Sequence, residues 1–199
     1  MQGMPDPVNT PEHWTEYNAH QGDRAVRDTC RIAMDLAGPG AGRTAVDLGC
    51  GAGIETRALL DAGWRVSAYD SEPAMLAGLD HPWLTAHRLR FEAIGALPPA
   101  DLVYAGYALP WQTRGSFDRL WTLIRTAVRP GGRIAVDLFG VRDAWSGNPA
   151  MTFLTAAEAR SLADGLVIDH WHEQDETAPA YRGPKHWHVF TLVAHRPEN

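Results

Sequence analysis

Residues 44–53 read TAVDLGCGAG, and this stretch decides how the chain folds. Its first half, residues 44–48, favours a strand, and the glycines at 49, 51 and 53 make its second half a turn. Residues 54–60 then show the apolar spacing of a helix. A strand, a glycine turn and a helix in this order predict the first unit of an α/β sheet.

The same alternation continues on the C-terminal side. Residues 64–69 predict a second strand that ends at Asp70, and Glu72 with Pro73 predicts the start of the next helix. Parallel neighbours need a covering connection, so this alternation indicates a mostly parallel sheet with helices on both faces. The other elements of this region are predicted as strands at residues 88–94, 101–107 and 133–139 and a helix at residues 117–128.

The C-terminal part departs from this alternation. Thr155 and Glu158 form a capping box that opens one more helix. Residues 166–173 and 186–195 are β-type runs whose connection of about a dozen residues has no room for a crossover helix, so they should pair antiparallel. The predicted fold is a doubly wound, Rossmann-like sheet of seven strands, mostly parallel, with helices on both faces and an antiparallel C-terminal strand.

The N-terminal part is predicted to precede the sheet as a separate segment. Residues 1–12 contain three prolines and are expected to form a loose tail. Apolar side chains recur at threes and fours over residues 15–37, which predicts helix, and Gly38-Pro39-Gly40 ends it. We expect residues 13–199 to form a single domain in which residues 13–40 are a helical lid segment.

Composition excludes several classes of protein. The 199 residues carry 18 Lys+Arg against 24 Asp+Glu, and this net charge of −6 argues against a nucleic-acid partner. The sequence contains no run of about 18 apolar residues that could span a membrane, and residues 1–7 lack the features of a signal peptide. The expected compartment is therefore the cytoplasm. Cys30 and Cys50 are expected to be free thiols.

The glycine turn and one acidic residue predict a ligand that contains a ribose. Glycines after the first strand allow the backbone to approach a ligand closely. Asp70 ends the second strand, where a carboxylate can accept hydrogen bonds from both ribose hydroxyls. A dinucleotide fingerprint would need glycine at Ile54, and no lysine follows the glycines as in a P-loop. A nucleoside without phosphates fits better.

The sequence resembles the class I S-adenosylmethionine-dependent methyltransferases. The residues that carry the resemblance are DLGCGAG at 47–53, Asp70, and RPGGR at 129–133. Within that superfamily it looks like the small bacterial group related to tellurite-resistance methyltransferases. The motifs shared with this group are GWRV at 63–66, YALPW at 107–111, LFGVRDAW at 138–145, MTF at 151–153 and KHWHVF at 185–190.

The resemblance implies S-adenosylmethionine as cofactor and assigns residues to its parts. Asp47 and the glycines would face the methionine, Asp70 the ribose, and Glu92 or Ala93 the adenine edge. It also implies an antiparallel last strand. The full set of cofactor contacts predicted in this way is Asp47, Gly49, Cys50, Gly51, Gly53, Asp70, Ser71, Glu92, Ala93 and Ala105. Cys50 is expected as a small packing residue rather than a catalytic thiol.

Aromatic residues predict the acceptor side of the site. Tyr107 and Trp111 follow the fourth strand, where they could wall an acceptor pocket or simply pack in the core. Trp14 and Tyr17 could form a lid that excludes water, or could pin the N-terminal segment to the core.

Histidines and charged residues near the C-terminus, together with Tyr107, are the predicted catalytic groups. His186 or His188 could act as a base or contact an anion, and Asp143 could accept a proton or orient a base. Arg142 is a candidate substrate contact, with a surface ion pair as the alternative. For a chalcogen oxyanion, Arg142, Lys185 and His186 could supply positive charge. Zinc held by the paired histidines is the less favoured alternative, so no metal is predicted.

Together these observations predict a methyltransferase that acts on a small molecule through an O, N, S or chalcogen nucleophile. The alternative is a protein of the same fold that binds S-adenosylmethionine without transferring its methyl group. The expected partners are a small-molecule acceptor but neither nucleic acid nor membrane, and the chain is expected to be a monomer or homodimer.

Overall fold

The structure, a computed structural model, describes residues 10–21, 24–72, 75–76, 78–181 and 183–198. Residues 1–9 of the expected tail lie outside these ranges, and so do Pro73 and Ala74, where the sequence predicts the next helix to begin. The last part of the expected tail differs from the prediction, because a helix already begins at Pro11. Thr10 caps this helix by accepting a hydrogen bond from the His13 amide.

Seven strands form one sheet in the order β3-β2-β1-β4-β5-β7-β6. The strands β1 to β5 pair parallel with one another, and β7 pairs antiparallel with both β5 and β6. This arrangement confirms the predicted mostly parallel sheet with an antiparallel C-terminal strand. The strands are β1 (Thr44–Leu48), β2 (Arg65–Asp70), β3 (Leu84–Arg88), β4 (Ala100–Ala105), β5 (Val128–Phe139), β6 (Val167–Ala178) and β7 (Lys185–His195).

Helices cover both faces of the sheet. Along β1, Ala45 belongs to one buried cluster, which also holds Cys30 and Leu59, and its neighbour Val46 belongs to another, which holds Phe117. Successive side chains of a strand point to opposite faces, so each face has its own core. The helices are α1 (Pro11–Ala19), α2 (Asp28–Ala37), α3 (Ile54–Asp61), α4 (Arg114–Ala127) and α5 (Ala156–Ser161).

Two predicted elements differ in the structure. The helical region expected over residues 15–37 is two helices, α1 and α2, with Arg24 and Arg27 between them. The prediction of a strand at residues 88–94 is wrong: β3 ends at Arg88, and a short 3-10 helix follows at Phe91–Ala93. The last residue of β2, Asp70, pairs with Arg88, so a longer strand would find no partner beyond that point.

Smaller predictions agree with the structure. The capping box of Thr155 and Glu158 opens α5, with both reciprocal hydrogen bonds present. Cys30 and Cys50 are buried free thiols. Within the described ranges, the helices are all too short or too polar to span a bilayer.

Candidate functional site

A cavity of about 920 Å³ opens at the carboxyl ends of β1, β2 and β4. The strand β1 lies between the other two, because the chain leaves β1 towards β2 and later returns to β4 on the opposite side. Ligands of open α/β sheets bind at such a reversal of strand order. The volume is at the upper end of the range for small-molecule sites.

The glycine turn forms one wall of this cavity. Gly49, Gly51 and Gly53 all have positive φ, at 77°, 47° and 80°. A side chain is strained in this conformation, and a Cβ on Gly51 would lie 2.8 Å from Oδ1 of Asn18 in α1. Cys50 also lines the cavity, and burial raises the pKa of its thiol, which argues for packing rather than nucleophilic chemistry.

Asp70 forms the adjoining wall at the end of β2. Its Oδ2 accepts a hydrogen bond from the Gly51 amide at 2.8 Å, and its Oδ1 accepts one from the Glu72 amide at 2.9 Å. Burial raises the pKa of Asp70, while the hydrogen bonds to these amides oppose that shift. The carboxylate is therefore held in one orientation beside the glycine turn. Ser71, the next predicted contact, also lines the cavity.

Asp47 lies behind the glycine turn rather than on the cavity surface. It is 1% exposed, and its Oδ2 accepts a hydrogen bond from Thr56 Oγ1 at 2.5 Å. Burial raises the pKa of Asp47 to about 7. This residue therefore ties the end of β1 to the first turns of α3, and the cavity lining does not include it.

The predicted adenine end is only partly assembled by the fold. Glu92 is exposed and lines the cavity from the 3-10 helix after β3, together with Phe91. Ala93 is outside the lining, and Ala105 is fully buried in the core at the end of β4. Arg119 of α4 holds the 3-10 helix by donating to the Phe91 and Ile94 carbonyl oxygens.

Two polar groups that sequence patterns did not indicate also line the cavity. The Tyr104 hydroxyl is buried, has no hydrogen-bond partner among the described residues, and faces Gly106, where a Cβ could not fit. The Arg27 guanidinium donates to the Tyr17 hydroxyl at 3.1 Å and lies 4.7 Å from the Tyr107 ring centroid. Only the fold brings these groups to the glycine turn, since neither belongs to a motif.

Arg24 and Arg27 contact the same carboxylate, Glu55, in different ways. Arg24 makes a two-pronged ion pair with Glu55, with distances of 2.6 and 2.9 Å. Arg27 reaches Glu55 only through its backbone amide, at 3.0 Å. Its guanidinium therefore keeps hydrogen-bond donors available, and a guanidinium is suited to bind a carboxylate.

A buried cation borders the aromatic side of the cavity. The Lys185 ammonium pairs with Asp143 at 2.5 Å, and neither side chain has exposed surface. It lies 3.3 Å from the Trp145 ring centroid and 3.9 Å from that of Trp187. Burial lowers the pKa of Lys185 to about 8, although Asp143 opposes the shift. Asp143 is thus enclosed by its own partner, away from the cavity surface.

The predicted histidine and arginine candidates also lie outside the cavity lining. His188 is fully buried, with its Nε2 3.0 Å from Glu173 Oε1, and its Nδ1 accepts from the Arg142 amide. Arg142 pairs with Glu173 and Asp175. His186 also contacts Asp175, at 2.9 Å. Of the residues predicted as catalytic, Tyr107 alone lines the cavity.

Metal binding by the C-terminal histidines finds no support in the strand register. His172 pairs with Thr191 and His188 with Asp175, so the two histidine pairs lie at different levels of the hairpin. The described residues do bring Glu173, Asp175 and His188 within ligand distance of one another. The Arg142 guanidinium already contacts all three of these residues, so the two carboxylates have a cationic partner.

Comparison with known proteins agrees with this geometry. Residues 46–136 match the family profile described as a methyltransferase domain. No curated protein matches the chain by sequence. The family match and the fold together confirm the predicted resemblance to class I S-adenosylmethionine-dependent methyltransferases.

Solved structures share the fold at low sequence identity. TehB from Haemophilus influenzae has a TM-score of 0.74 and 14% identity over 90% of this chain, which spans 65% of the TehB chain. The N-methyltransferase NodS from Bradyrhizobium japonicum WM9, crystallised with S-adenosylhomocysteine, has a TM-score of 0.71 and 14% identity over 96% of this chain and 100% of its own. A 1,6-didemethyltoxoflavin-N1-methyltransferase from Burkholderia thailandensis has a TM-score of 0.66 and 17% identity over 98% of this chain and 94% of its own.

Proposed function

We propose that this protein transfers a methyl group from S-adenosylmethionine to a small-molecule acceptor. The observation that carries the proposal is one cavity in which the glycine turn and Asp70 lie at one end and a group of aromatic rings at the other. The first end suits an adenosine, and the second suits an acceptor. We also propose that the protein is cytoplasmic and is a monomer or a homodimer.

The cofactor end offers a partner for each part of the cofactor. Asp70 would accept hydrogen bonds from the ribose hydroxyls, and Glu92 would lie at the adenine edge. The glycine turn would run beside the methionine part, with the Arg27 guanidinium on its carboxylate. The Tyr104 hydroxyl, which is buried without a partner in the described part of the chain, would contact the same part of the cofactor.

The chemistry requires little from the protein beyond position. When bound, the cofactor supplies a sulfonium methyl group that an acceptor lone pair can attack in line with the S–CH3 bond. Holding two reactants in such a geometry contributes roughly 7 to 11 kcal/mol. Tyr107 reaches the cavity, but burial raises the pKa of its hydroxyl, so it would donate a hydrogen bond rather than accept a proton.

The helix α1 would exclude water from the reacting centre. Its Trp14 and Tyr17 both line the cavity, and the Trp14 ring packs against Trp111 with a centroid distance of 4.8 Å. This contact connects the N-terminal segment to the loop after β4. It supports the lid interpretation, because the same rings that pin the helix also cover the cavity.

Calorimetric titration with S-adenosylhomocysteine and S-adenosylmethionine tests the cofactor assignment. We expect one site per chain, and no heat of binding for either compound would contradict the proposal. An acceptor screen that detects released S-adenosylhomocysteine then separates a methyltransferase from a protein that only binds the cofactor. Binding without release across phenol, thiol, amine and selenite acceptors would favour the second function.

A further inference from the structure

Aromatic rings from four separate parts of the chain surround the acceptor end of the cavity. They come from α1, from the loop after β4, from the end of β5 with its following loop, and from the β6–β7 hairpin. Parts so distant in sequence meet only through the fold. These rings are Trp14, Tyr107, Trp111, Phe139, Trp145 and Trp187.

These rings hold one another in fixed orientations. Trp111 contacts Trp145 with a centroid distance of 5.4 Å, and Trp145 contacts Trp187 at 5.9 Å. Tyr107 contacts Trp187 at 5.9 Å with nearly perpendicular ring planes. Edge-to-face packing of this kind is a favoured arrangement of aromatic pairs. The acceptor end is therefore a preformed aromatic wall rather than a loose apolar surface.

The backbone at Tyr107 supports a role for this wall. Tyr107 has a φ of +56°, which is rare for an aromatic residue. Strained backbone of this kind clusters at ligand sites. The centroid of the Tyr107 ring lies 4.7 Å from the Arg27 guanidinium carbon and 6.1 Å from the centroid of the Phe139 ring.

The three residues predicted to supply positive charge to an oxyanion are engaged elsewhere, and Arg27, which lies beside the Tyr107 ring, is assigned to the cofactor carboxylate. Lys185 is sealed behind Trp145 and Trp187 by its ion pair with Asp143. Arg142 and His186 lie outside the cavity lining, each beside a carboxylate of β6. A chalcogen oxyanion among these aromatic rings would thus lack those three cations, and burying an unpaired charge among apolar groups is costly.

We propose that the acceptor is an uncharged, planar aromatic small molecule with a nucleophilic O, N or S atom on its ring system. This inference rests on the proposed function. The acceptor heteroatom forms a bond to the methyl carbon, the carbon–sulfur bond breaks, and its electron pair stays on the sulfur of S-adenosylhomocysteine. The proton of the heteroatom is released to water.

Titration of the protein saturated with S-adenosylhomocysteine tests this acceptor class. Naphthol and its saturated counterpart decahydronaphthol carry the same hydroxyl group, and sodium selenite represents an oxyanion. We expect naphthol to bind about tenfold or more tightly than decahydronaphthol. Equal affinity for the two, or tighter binding of selenite, overturns the inference. Failure to bind S-adenosylhomocysteine in the first step instead overturns the proposed function.

Variants locate the binding to the wall. Trp111→Leu should weaken naphthol binding about fivefold or more and leave the affinity for S-adenosylhomocysteine unchanged. Trp83→Leu is the matched control, because Trp83 is exposed and packs on Arg65 away from the cavity. If Trp111→Leu does not fold, as judged by its thermal transition, Trp187→Leu replaces it. Wild-type naphthol affinity in the folded variant contradicts the inference.

Discussion

Replacing Asp70 with asparagine perturbs the proposed ribose contact with the smallest change in shape. In the structure, one carboxylate oxygen accepts from the Gly51 amide at 2.8 Å and the other from the Glu72 amide at 2.9 Å. Each oxygen retains a lone pair for a ribose hydroxyl. Asparagine removes the charge, and its NH2 group must face one of the two backbone amides donor to donor.

The size of the effect follows from the hydrogen bonds at stake. Hydrogen bonds to a charged group contribute about 1.5 to 3 kcal/mol each. Losing one bond to the ribose and weakening the other gives roughly 2 to 4 kcal/mol, or a rise in Kd of about 30-fold to 1000-fold. Part of this loss arises from loosening of the glycine turn, because Asp70 also holds Gly51.

Calorimetry with S-adenosylhomocysteine measures the effect. Asp101→Asn is the matched control, because Asp101 also accepts a backbone amide hydrogen bond, from Thr44 at 2.9 Å, but does not line the cavity. An analogue without the two ribose hydroxyls should bind the wild type weakly and lose little more in Asp70→Asn. Wild-type affinity in Asp70→Asn, or a full further loss with the analogue, would refute the ribose contact.

Three further predictions concern charged groups. Arg27→Leu should raise the Kd for S-adenosylhomocysteine by about tenfold or more, since a carboxylate contact is worth about 1.5 to 3 kcal/mol; an unchanged Kd in calorimetry would contradict the carboxylate assignment. Lys185→Met leaves Asp143 buried without its partner and should lower the free energy of unfolding by about 3 to 5 kcal/mol in urea titrations, with much of the loss restored by adding Asp143→Asn. Asp47 has a folded pKa raised to about 7, so its contribution to stability is present below its unfolded pKa of about 4 and is lost as the pH rises through 7. The free energy of unfolding of wild type relative to Asp47→Asn should therefore fall over that range, and a flat difference would contradict the raised pKa.

Much of the sheet could be predicted because its signals are local. The strand at residues 44–48 and the capping box at Thr155 depend on neighbouring residues, and both are present in the structure. The prediction of the third strand was wrong because strand length depends on a pairing partner, which no local pattern shows. Its expected range, residues 88–94, alternates like a strand, but β2 ends at Asp70 and offers no partner beyond Arg88.

The candidate site shows the same contrast between local signals and long-range packing. The glycine turn and Asp70 belong to one βα unit and its neighbour, so their spacing alone predicts that they meet. The residues predicted as catalytic near the C-terminus do not meet in the cavity. Asp143 and His188 carry the right chemistry, but the hairpin of β6 and β7 buries them against Lys185 and Glu173. The sequence does not show which residues of a strand are buried against an ion-pair partner.

Periodicity, turns and short spacings act over a few residues, so the sequence predicted the class of fold and the glycine turn with Asp70. Tertiary structure added groups that no sequence pattern had placed in the cavity. Arg27 and Tyr104 at the cofactor end, and the rings of Phe139, Trp145 and Trp187 at the acceptor end, come from elements far apart in the chain. Their meeting depends on how helices and the C-terminal hairpin pack on the sheet, and long-range packing leaves no local pattern in a single sequence.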